Sequence, residues 1–539
     1  MASLSAPRPC GAPSHLRRPH TAKHKQRMGR PAAAPPSPAS PSTTSTLADW
    51  LVSRGALPSD GSVTLVEGSP PTLVLARAAP QPGTPILAVP EAAWISVEST
   101  RGSPALAGPA AAAAGLEPWA RLALALLHAR RDASDPLHAY AAALPPAAGD
   151  APLFWGEDDL AELGGTQAGD AIAGYRSFFA ARHASLEESL FSRDRDLYPA
   201  DAYSAAHFAW AAATVRARVH PPLEGSAAAI VPGVDMVGHA RTGASLGGLR
   251  VVAPTGGGGG VLKGLLSGGA PTPSSTTRTA RLEAATPLPS GTPLTLDFGP
   301  SRTDGQLLLD YGALDEGAAL AGTGRPGWAL ALAIPPGDRF ADDKADILEG
   351  AGLGGGGDAP GAAAPPAPGG FALTLTPDFG RGPVGGPAAE DALAVLRLIN
   401  LCGPDAFLLE PIFRAAAWGH MQAPISLANE RAACGSMVAG CAAALDRLAG
   451  AGGEGGDEAA LASGLSADTG RALSPRGRAA TVGRQGERRS LASAQAFFEA
   501  RAAGAEALEF YQERRLKGLG LLDEGGRTTY DSFFEDGIA

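Results

Sequence analysis

Residues 231–239, Val-Pro-Gly-Val-Asp-Met-Val-Gly-His, set the carboxylate of Asp235 and the imidazole of His239 in one short stretch that also carries two glycines. Further along, 296–299 (Leu-Asp-Phe-Gly) and 309–312 (Leu-Asp-Tyr-Gly) add Phe298 and the phenol of Tyr311. An imidazole can carry a proton near neutral pH, a carboxylate accepts hydrogen bonds, and a phenol does both. Each residue also has an ordinary explanation. Asp235 reads as a turn or capping carboxylate, His239 as a satisfied core histidine and Tyr311 as a core aromatic. Competing chemistries lack their marks. The one Gly-x-Ser-x-Gly match, Gly243 to Gly247, leads into the β-prone run 249–252 rather than a helix, so it lacks the strand-to-helix setting of a nucleophile elbow and a serine hydrolase is not indicated. His15, His20 and His24 sit in the N-terminal segment and the other histidines are scattered, so no metal-ligand cluster forms in the sequence. The glycine runs lack the strand, Gly-x4-Gly-Lys and helix of a phosphate loop. Cys10, Cys402, Cys434 and Cys441 offer neither a disulfide framework nor a Cys-x-x-Cys spacing, and Cys434 and Cys441 read as small buried hydrophobes on one helix.

A chain of 539 residues exceeds one ordinary core and points to two globular domains with flexible segments. A net charge of -10 without a basic stripe argues against nucleic-acid binding. No apolar run approaches the ~20 residues of a membrane span. The first 48 residues contain no Asp or Glu, but carry Arg8, Arg17, Arg18, Lys23, Lys25, Arg27 and Arg30 among Ser, Pro and Ala. That composition reads as an organellar transit peptide, taken as 1–45 and disordered.

The candidate residues need elements to hold them. Asp49 is expected to cap a short amphipathic helix around 47–51. Strand-like runs occupy 62–66, 72–76 and 85–89, and strands resume at Ala228. Between them, from 116 to about 203, Trp119, Leu122, Leu126 and Leu127 follow helical spacing. Gly, Ala and Pro dominate 254–275, 352–370 and 449–472, which are expected to be disordered. Helices are predicted over 392–401, 405–418, 430–448 and 491–516. The last should turn Leu508, Tyr511, Leu516 and Leu519 to one apolar face and stop at Gly518 and Gly520.

Read in order, these segments resemble the chloroplast SET-domain protein-lysine methyltransferases named for the large subunit of ribulose bisphosphate carboxylase. The resemblance rests on Pro85-Ile86-Leu87-Ala88-Val89-Pro90 and Trp94-Ile95, on Phe154 to Leu160 and Glu162 to Thr166, and on Phe208-Ala209-Trp210 through Arg218. In the C-terminal half it rests on Asp405 to Glu410, Phe413-Arg414, Trp418-Gly419-His420, Asn429-Glu430 and Phe510 to Lys517. It implies an α+β fold: a SET domain of small twisted sheets with a pseudoknot over 46–320, carrying a helical insertion at about 104–205 and the loop 254–275. An all-helical substrate-binding domain over 327–530, with linkers 352–370 and 449–472, would follow. The implied activity is N-methylation of a lysine in a chloroplast stromal protein, the carboxylase large subunit or fructose-bisphosphate aldolase, with S-adenosyl-L-methionine as cofactor. The protein would act as a soluble monomer on a protein substrate, with no nucleic-acid or membrane partner. By carry-over, Glu67, Gly68, Arg218, Gly238 and His239 contact the cofactor; Arg218, Asp235 and Tyr311 line the substrate side; Tyr311 and Phe298 flank the reacting amine.

Such chemistry requires a neutral amine, although lysine ordinarily has a pKa near 10.4. A narrow apolar channel beside the cofactor's positive charge lowers that value, and alignment of amine, methyl and sulfur supplies most of the rate. The sequence departs from the family at Gly238, where asparagine is usual, and at Phe298, where the active-site tyrosine is usual. A further channel tyrosine has no counterpart over 240–253, and Ser69-Pro70-Pro71 alters the cofactor loop. Two readings remain open: a working methyltransferase with altered chemistry, or a SET-fold protein that binds a stromal partner without turnover.

Overall fold

The computed structural model describes residues 43–68, 71–79, 81–145, 151–219, 229–252, 278–299, 302–312, 314–352, 371–379, 389–449, 453–467 and 470–528. Residues 1–42 of the expected transit segment, the loop 254–275 and nearly all of 352–370 lie outside them, while 43–45, assigned to that segment, begin the first helix. The first helix is Thr43–Ser53, with Leu47 and Leu51 buried; Asp49 is exposed inside it, so the helix starts earlier than expected and Asp49 is no cap.

The N-terminal half is built of short paired strands, because Gly and Pro interrupt every β-prone run. β1 (Val63–Val66) pairs antiparallel with β2 (Thr72–Leu75). β3 (Pro85–Pro90) pairs with β8 (Thr279–Glu283), whose other edge takes β7 (Arg250–Val252). β4 (Ile95–Ser96) pairs with β5 (Ala229–Ile230). Only β6 (Gly238–His239) and β9 (Thr295–Leu296) run parallel among the described pairs. Between β4 and β5 lies a helical layer, chiefly Pro118–Arg131, Gln167–Ser189 and Ala205–Arg218. The last of these starts at Ser204, whose hydroxyl accepts from the His207 amide at 3.3 Å, and buries Phe208, Trp210, Ala211, Ala212, Ala213, Thr214 and Val215.

The C-terminal half is mainly helical, with one added ribbon of β10 (Trp328–Leu332) and β11 (Phe371–Leu375). Ala389–Ile399, Leu427–Ala449 and Pro475–Ala503 carry its two apolar clusters. Arg397 is fully buried, with Nε 2.8 Å from Glu430, which also accepts from Arg501 at 2.8 Å. Family-like segments meet here. Asn429 donates to the Arg397 carbonyl at 3.0 Å, and Tyr511 sits against His420 and Phe407 at ring distances of 5.1 and 5.7 Å.

Three expectations are corrected. The predicted helix 405–418 is three short pieces, Gly403–Leu409, Pro411–Arg414 and Ala417–Met421, because Pro411 lacks the amide a continuous helix needs. The predicted helix 491–516 is the end of Pro475–Ala503 and a separate Tyr511–Gly518; its face is only partly apolar, since Leu519 is 62% exposed. The supposed linker 449–472 contains the helix Gly453–Ser463. One buried carboxylate anchors it: fully buried Asp457 accepts from Arg484 at 2.6 Å and Arg488 at 3.2 Å, an anchor invisible to a count of apolar residues.

The same long helix presses Glu487 into the N-terminal half. Its carboxyl accepts the Gln167 amide at 3.3 Å and is almost fully buried, which pushes its pKa up to about 8; Asp170 adds to the rise, while the Gln167 amide, Arg447 and Arg484 oppose it. The folded protein thus keeps a proton that the unfolded chain releases near pH 4.5. Stability from this group is complete below about pH 4.5, declines as pH rises to about 8 and is flat above, a loss of up to about 5 kcal/mol. Glu487→Gln mimics the protonated form. Urea unfolding across that window should show the variant gaining on the parent as pH rises; parallel curves would contradict the assignment.

Candidate functional site

The short turn Val234–Met236 follows Gly233, whose φ of +88° and close approach to the Ala56 carbonyl suit glycine. It turns the buried side chain of Asp235 toward two partners. Tyr140 donates to Oδ2 at 2.6 Å, and Arg218 Nη1 reaches the same oxygen at 2.6 Å and the Asp235 carbonyl at 3.3 Å. Asp235 Oδ1 remains buried without a partner. Burial, then the adjacent Asp235, raises the Tyr140 pKa well above 10, so the phenol keeps its proton. Burial disfavours the Arg218 charge, but Tyr140 and Asp235 outweigh it and raise its pKa.

Immediately after this turn, the chain crosses β9. Gly238 and Ala240 donate to the Leu294 and Leu296 carbonyls at 3.0 and 3.2 Å, and Leu246 donates to Thr295 from the return segment at 3.0 Å. Strand 294–296 is therefore held between two passes of the same chain, which is the pseudoknot expected from the sequence. Arg241 pins the crossing. Its guanidinium reaches Asp297 at 3.2 Å, the Gly299 carbonyl at 3.0 Å, the Arg302 carbonyl at 3.1 Å and Asp304 at 3.1 Å, and its amide donates to Asp315 at 3.0 Å.

The crossing stacks three rings. His239 and Phe298 have centroids 5.0 Å apart, and Phe298 meets Tyr311 edge-on at 4.9 Å. Burial, then Arg241, lowers the His239 pKa, so its imidazole is neutral at physiological pH. Its Nε2 is buried without a partner. Burial pushes Tyr311 up to about 12, which keeps its hydroxyl protonated. Tyr311 ends the helix Asp304–Tyr311, which Thr303 and Gln306 begin with reciprocal capping bonds and Gly312 stops at φ +65°.

Arg216 and Arg218 stand two residues apart at the end of one helix, about 200° around its axis. They consequently serve opposite sides. Arg218 lines a cavity of about 110 Å³ with Asp235, Gly238, Tyr140, Pro71 and Thr72. Arg216 pairs with Asp310, which also pairs with Arg302, and lies over the Tyr175 ring at 4.0 Å. That side holds an apolar cavity of about 260 Å³ with Trp119, Phe179 and Tyr311 in its wall. The cavities have no lining residue in common.

Of the predicted site residues, Arg218, Asp235 and Gly238 share the polar cavity, while His239, Phe298 and Tyr311 form the ring stack. Glu67 and Gly68 are exposed just beyond β1 and line neither cavity; their hairpin reaches the polar cavity through Pro71 and Thr72. Sequence reasoning missed Tyr140, Arg241, Arg216 and Arg302. Tyr140 lies in an alanine-rich stretch with no pattern around it, and Arg241 is marked only by its place two residues after His239.

The Rubisco LSMT substrate-binding family matches residues 335–491. The chloroplastic [fructose-bisphosphate aldolase]-lysine N-methyltransferase of Arabidopsis thaliana is 29% identical over 441 residues, 82% of this chain and 80% of that protein. The chloroplastic ribulose-1,5 bisphosphate carboxylase/oxygenase large subunit N-methyltransferase of Nicotiana tabacum is 29% identical over 446 residues, 82% of this chain and 79% of that protein. Among solved structures, the SET domain of LSMT bound to lysine and AdoHcy matches with a TM-score of 0.70 and 25% identity, over 93% of this chain and 100% of that one. Rubisco LSMT bound to AdoMet matches at 0.67 and 25%, over 90% and 98%.

The Arg241 clamp is testable apart from any activity. Arg241→Met leaves Asp304 and Asp297 without their cation and should cost ~3–5 kcal/mol in urea unfolding. A loss under about 1 kcal/mol would mean that the crossing holds without it.

Proposed function

From a chain that carries the SET fold and the Rubisco LSMT substrate-binding domain and resembles chloroplast lysine N-methyltransferases over four fifths of its length, we propose a lysine methyltransferase that uses S-adenosyl-L-methionine. The substrate is a protein of the chloroplast stroma, with the carboxylase large subunit and fructose-bisphosphate aldolase as first candidates from the names of the relatives. The observation that carries this reading is the ring stack His239–Phe298–Tyr311 at the crossing, beside the Arg218–Asp235–Tyr140 cluster.

The residues present suit the cofactor. Asp235 Oδ1 and His239 Nε2 are buried polar atoms awaiting partners, on either side of Gly238 in sequence. The cavity of about 110 Å³ is a subsite rather than a whole ligand site, which usually spans ~300–1,000 Å³. Arg218 and Gly238 would hold part of the cofactor there, with His239 meeting it from the ring stack next in the chain; when bound it supplies an electrophilic methyl on a sulfonium.

On the substrate side, Phe298 and Tyr311 would exclude water from the entering lysine and so favour its neutral form. Neither neighbour is a strong base. His239 has a lowered pKa and Tyr311 a raised one, so the amine must shed its proton to solvent before or as it enters. The Tyr311 hydroxyl would then orient the amine, and alignment carries the rate. With phenylalanine at 298 a polar hold on the amine is missing, worth ~0.5–3 kcal/mol, or about two-fold to over a hundred-fold in rate.

Phe298→Tyr should therefore raise methyl transfer to carboxylase or aldolase by about that factor, followed with labelled cofactor; an unchanged or lower rate would show that residue 298 does not face the amine. Gly238→Asn tests the cofactor side. A Cβ there meets Thr295 Cγ2 at 3.5 Å and the Leu294 carbonyl at 3.6 Å, ordinary contacts that a folded variant can accept. Calorimetry with S-adenosylhomocysteine should show ~2- to 10-fold tighter binding in the variant. If neither protein binds, the chain is instead a SET-fold binding module.

A further inference from the structure

We propose that the seam between the two halves of the chain is a binding site for a small phosphate-bearing anion, distinct from the polar cavity and joined to the ring stack only through Arg302. A cavity of about 160 Å³ lies there. Its wall takes Arg302 and Thr303 from the segment entering the Tyr311 helix, Arg325 from the turn before β10, Thr374 and Thr376 from β11 and just beyond it, and Arg489 from the helix Pro475–Ala503. Three arginines from three distant segments thus line one small space, although the Arg302 guanidinium itself turns to Asp310 and the Tyr311 ring.

Their partners do not account for this gathering. Arg302 has one ion pair, to Asp310. Among the described residues the side chains of Arg325 and Arg489 have neither a hydrogen bond nor an ion pair, and Arg489 Nε is buried with no partner. Asp378 is the one carboxylate in the wall, and it forms no ion pair within 4.0 Å. Like charges brought together at a partly enclosed surface repel unless an anion joins them.

The number and origin of the donors select the anion. One guanidinium fork saturates a carboxylate, whereas the two unpaired arginines, Arg325 and Arg489, together with the wall threonines offer donors from separate segments that suit the several oxygens of a phosphate. The threonine hydroxyls add neutral donors that can turn to such oxygens. The space exceeds the ~30 Å³ share of a single water several-fold, enough for a phosphate group. Arg302 also connects the site to its neighbourhood, since its partner Asp310 precedes Tyr311 in the same helix. An anion here would tie the Arg302 segment to β11 and the long helix, and so join the two halves more firmly.

The probe is inorganic phosphate added to the full chain, with sodium chloride at matched ionic strength as control. Thermal unfolding should show a saturable rise in Tm with phosphate beyond that with chloride. In Arg325→Gln and Arg489→Gln the half-saturating phosphate concentration should increase at least about tenfold. Arg325 is exposed, so its variant remains folded and decides the matter should Arg489→Gln fail to fold. A rise no greater than that with chloride overturns the proposal. A saturable rise that the folded variants keep unchanged overturns it too, because phosphate would then bind elsewhere.

Discussion

One parallel contact two residues long, Gly238–His239 against Thr295–Leu296, organises the functional part of this chain. So short a pairing cannot hold itself. It persists because strand 294–296 is bonded on one flank by 238 and 240 and on the other by 246, and Leu294 also donates to the Leu73 carbonyl at 2.9 Å. Arg241 then converts a thread into a joint. Its side chain is 5% exposed, and its donors serve Asp297, two carbonyls and Asp304 across the start of the Tyr311 helix. Removing the charge would leave buried acceptors behind, which is why the clamp matters more than a surface ion pair of equal length.

That joint fixes which side chains meet. With 239 and 296 in register, Phe298 follows β9 to a place against His239, and the helix from Asp304 delivers Tyr311 to its other edge. The helix Ala205–Arg218 divides the surroundings. Its two terminal arginines point to opposite sides, so a polar cluster forms around Asp235 and a separate ion pair with Asp310 closes the aromatic side. Neither arrangement requires a loop to move.

The fold was legible where pattern and chemistry agree. Strands β1, β2 and β3 fell within a residue or so of their expected positions because Gly and Pro bracket short β-branched runs. Helices failed where alanine-rich sequence hides the ends: Pro411 broke one, and Gly453–Ser463 formed through Asp457 rather than through apolar burial. Within the site, Asp235, His239, Phe298 and Tyr311 were visible because they sit in ordered motifs. Tyr140 and Arg241 were not, because each acts through partners remote in sequence, 95 residues away for Tyr140 and Asp235. A hydrogen bond across that separation leaves no local periodicity to read.

Phe298 is where this geometry bears most directly on chemistry. Its ring is 7% exposed and lies between a neutral imidazole and a protonated phenol, so the stack presents no charge to an approaching amine. A lysine entering such surroundings loses hydration without gaining a carboxylate, and its pKa must fall. The same absence of charge means that nothing in the stack pulls the proton away. Under the proposed function, desolvation would therefore set how much neutral amine is available, and the crossing would set where it points. A tyrosine at 298 would improve the second without altering the first, since a phenol buried beside Tyr311 would also keep its proton. Under the proposed function, the identity of residue 298 would govern orientation, while the burial imposed by the clamp would govern protonation.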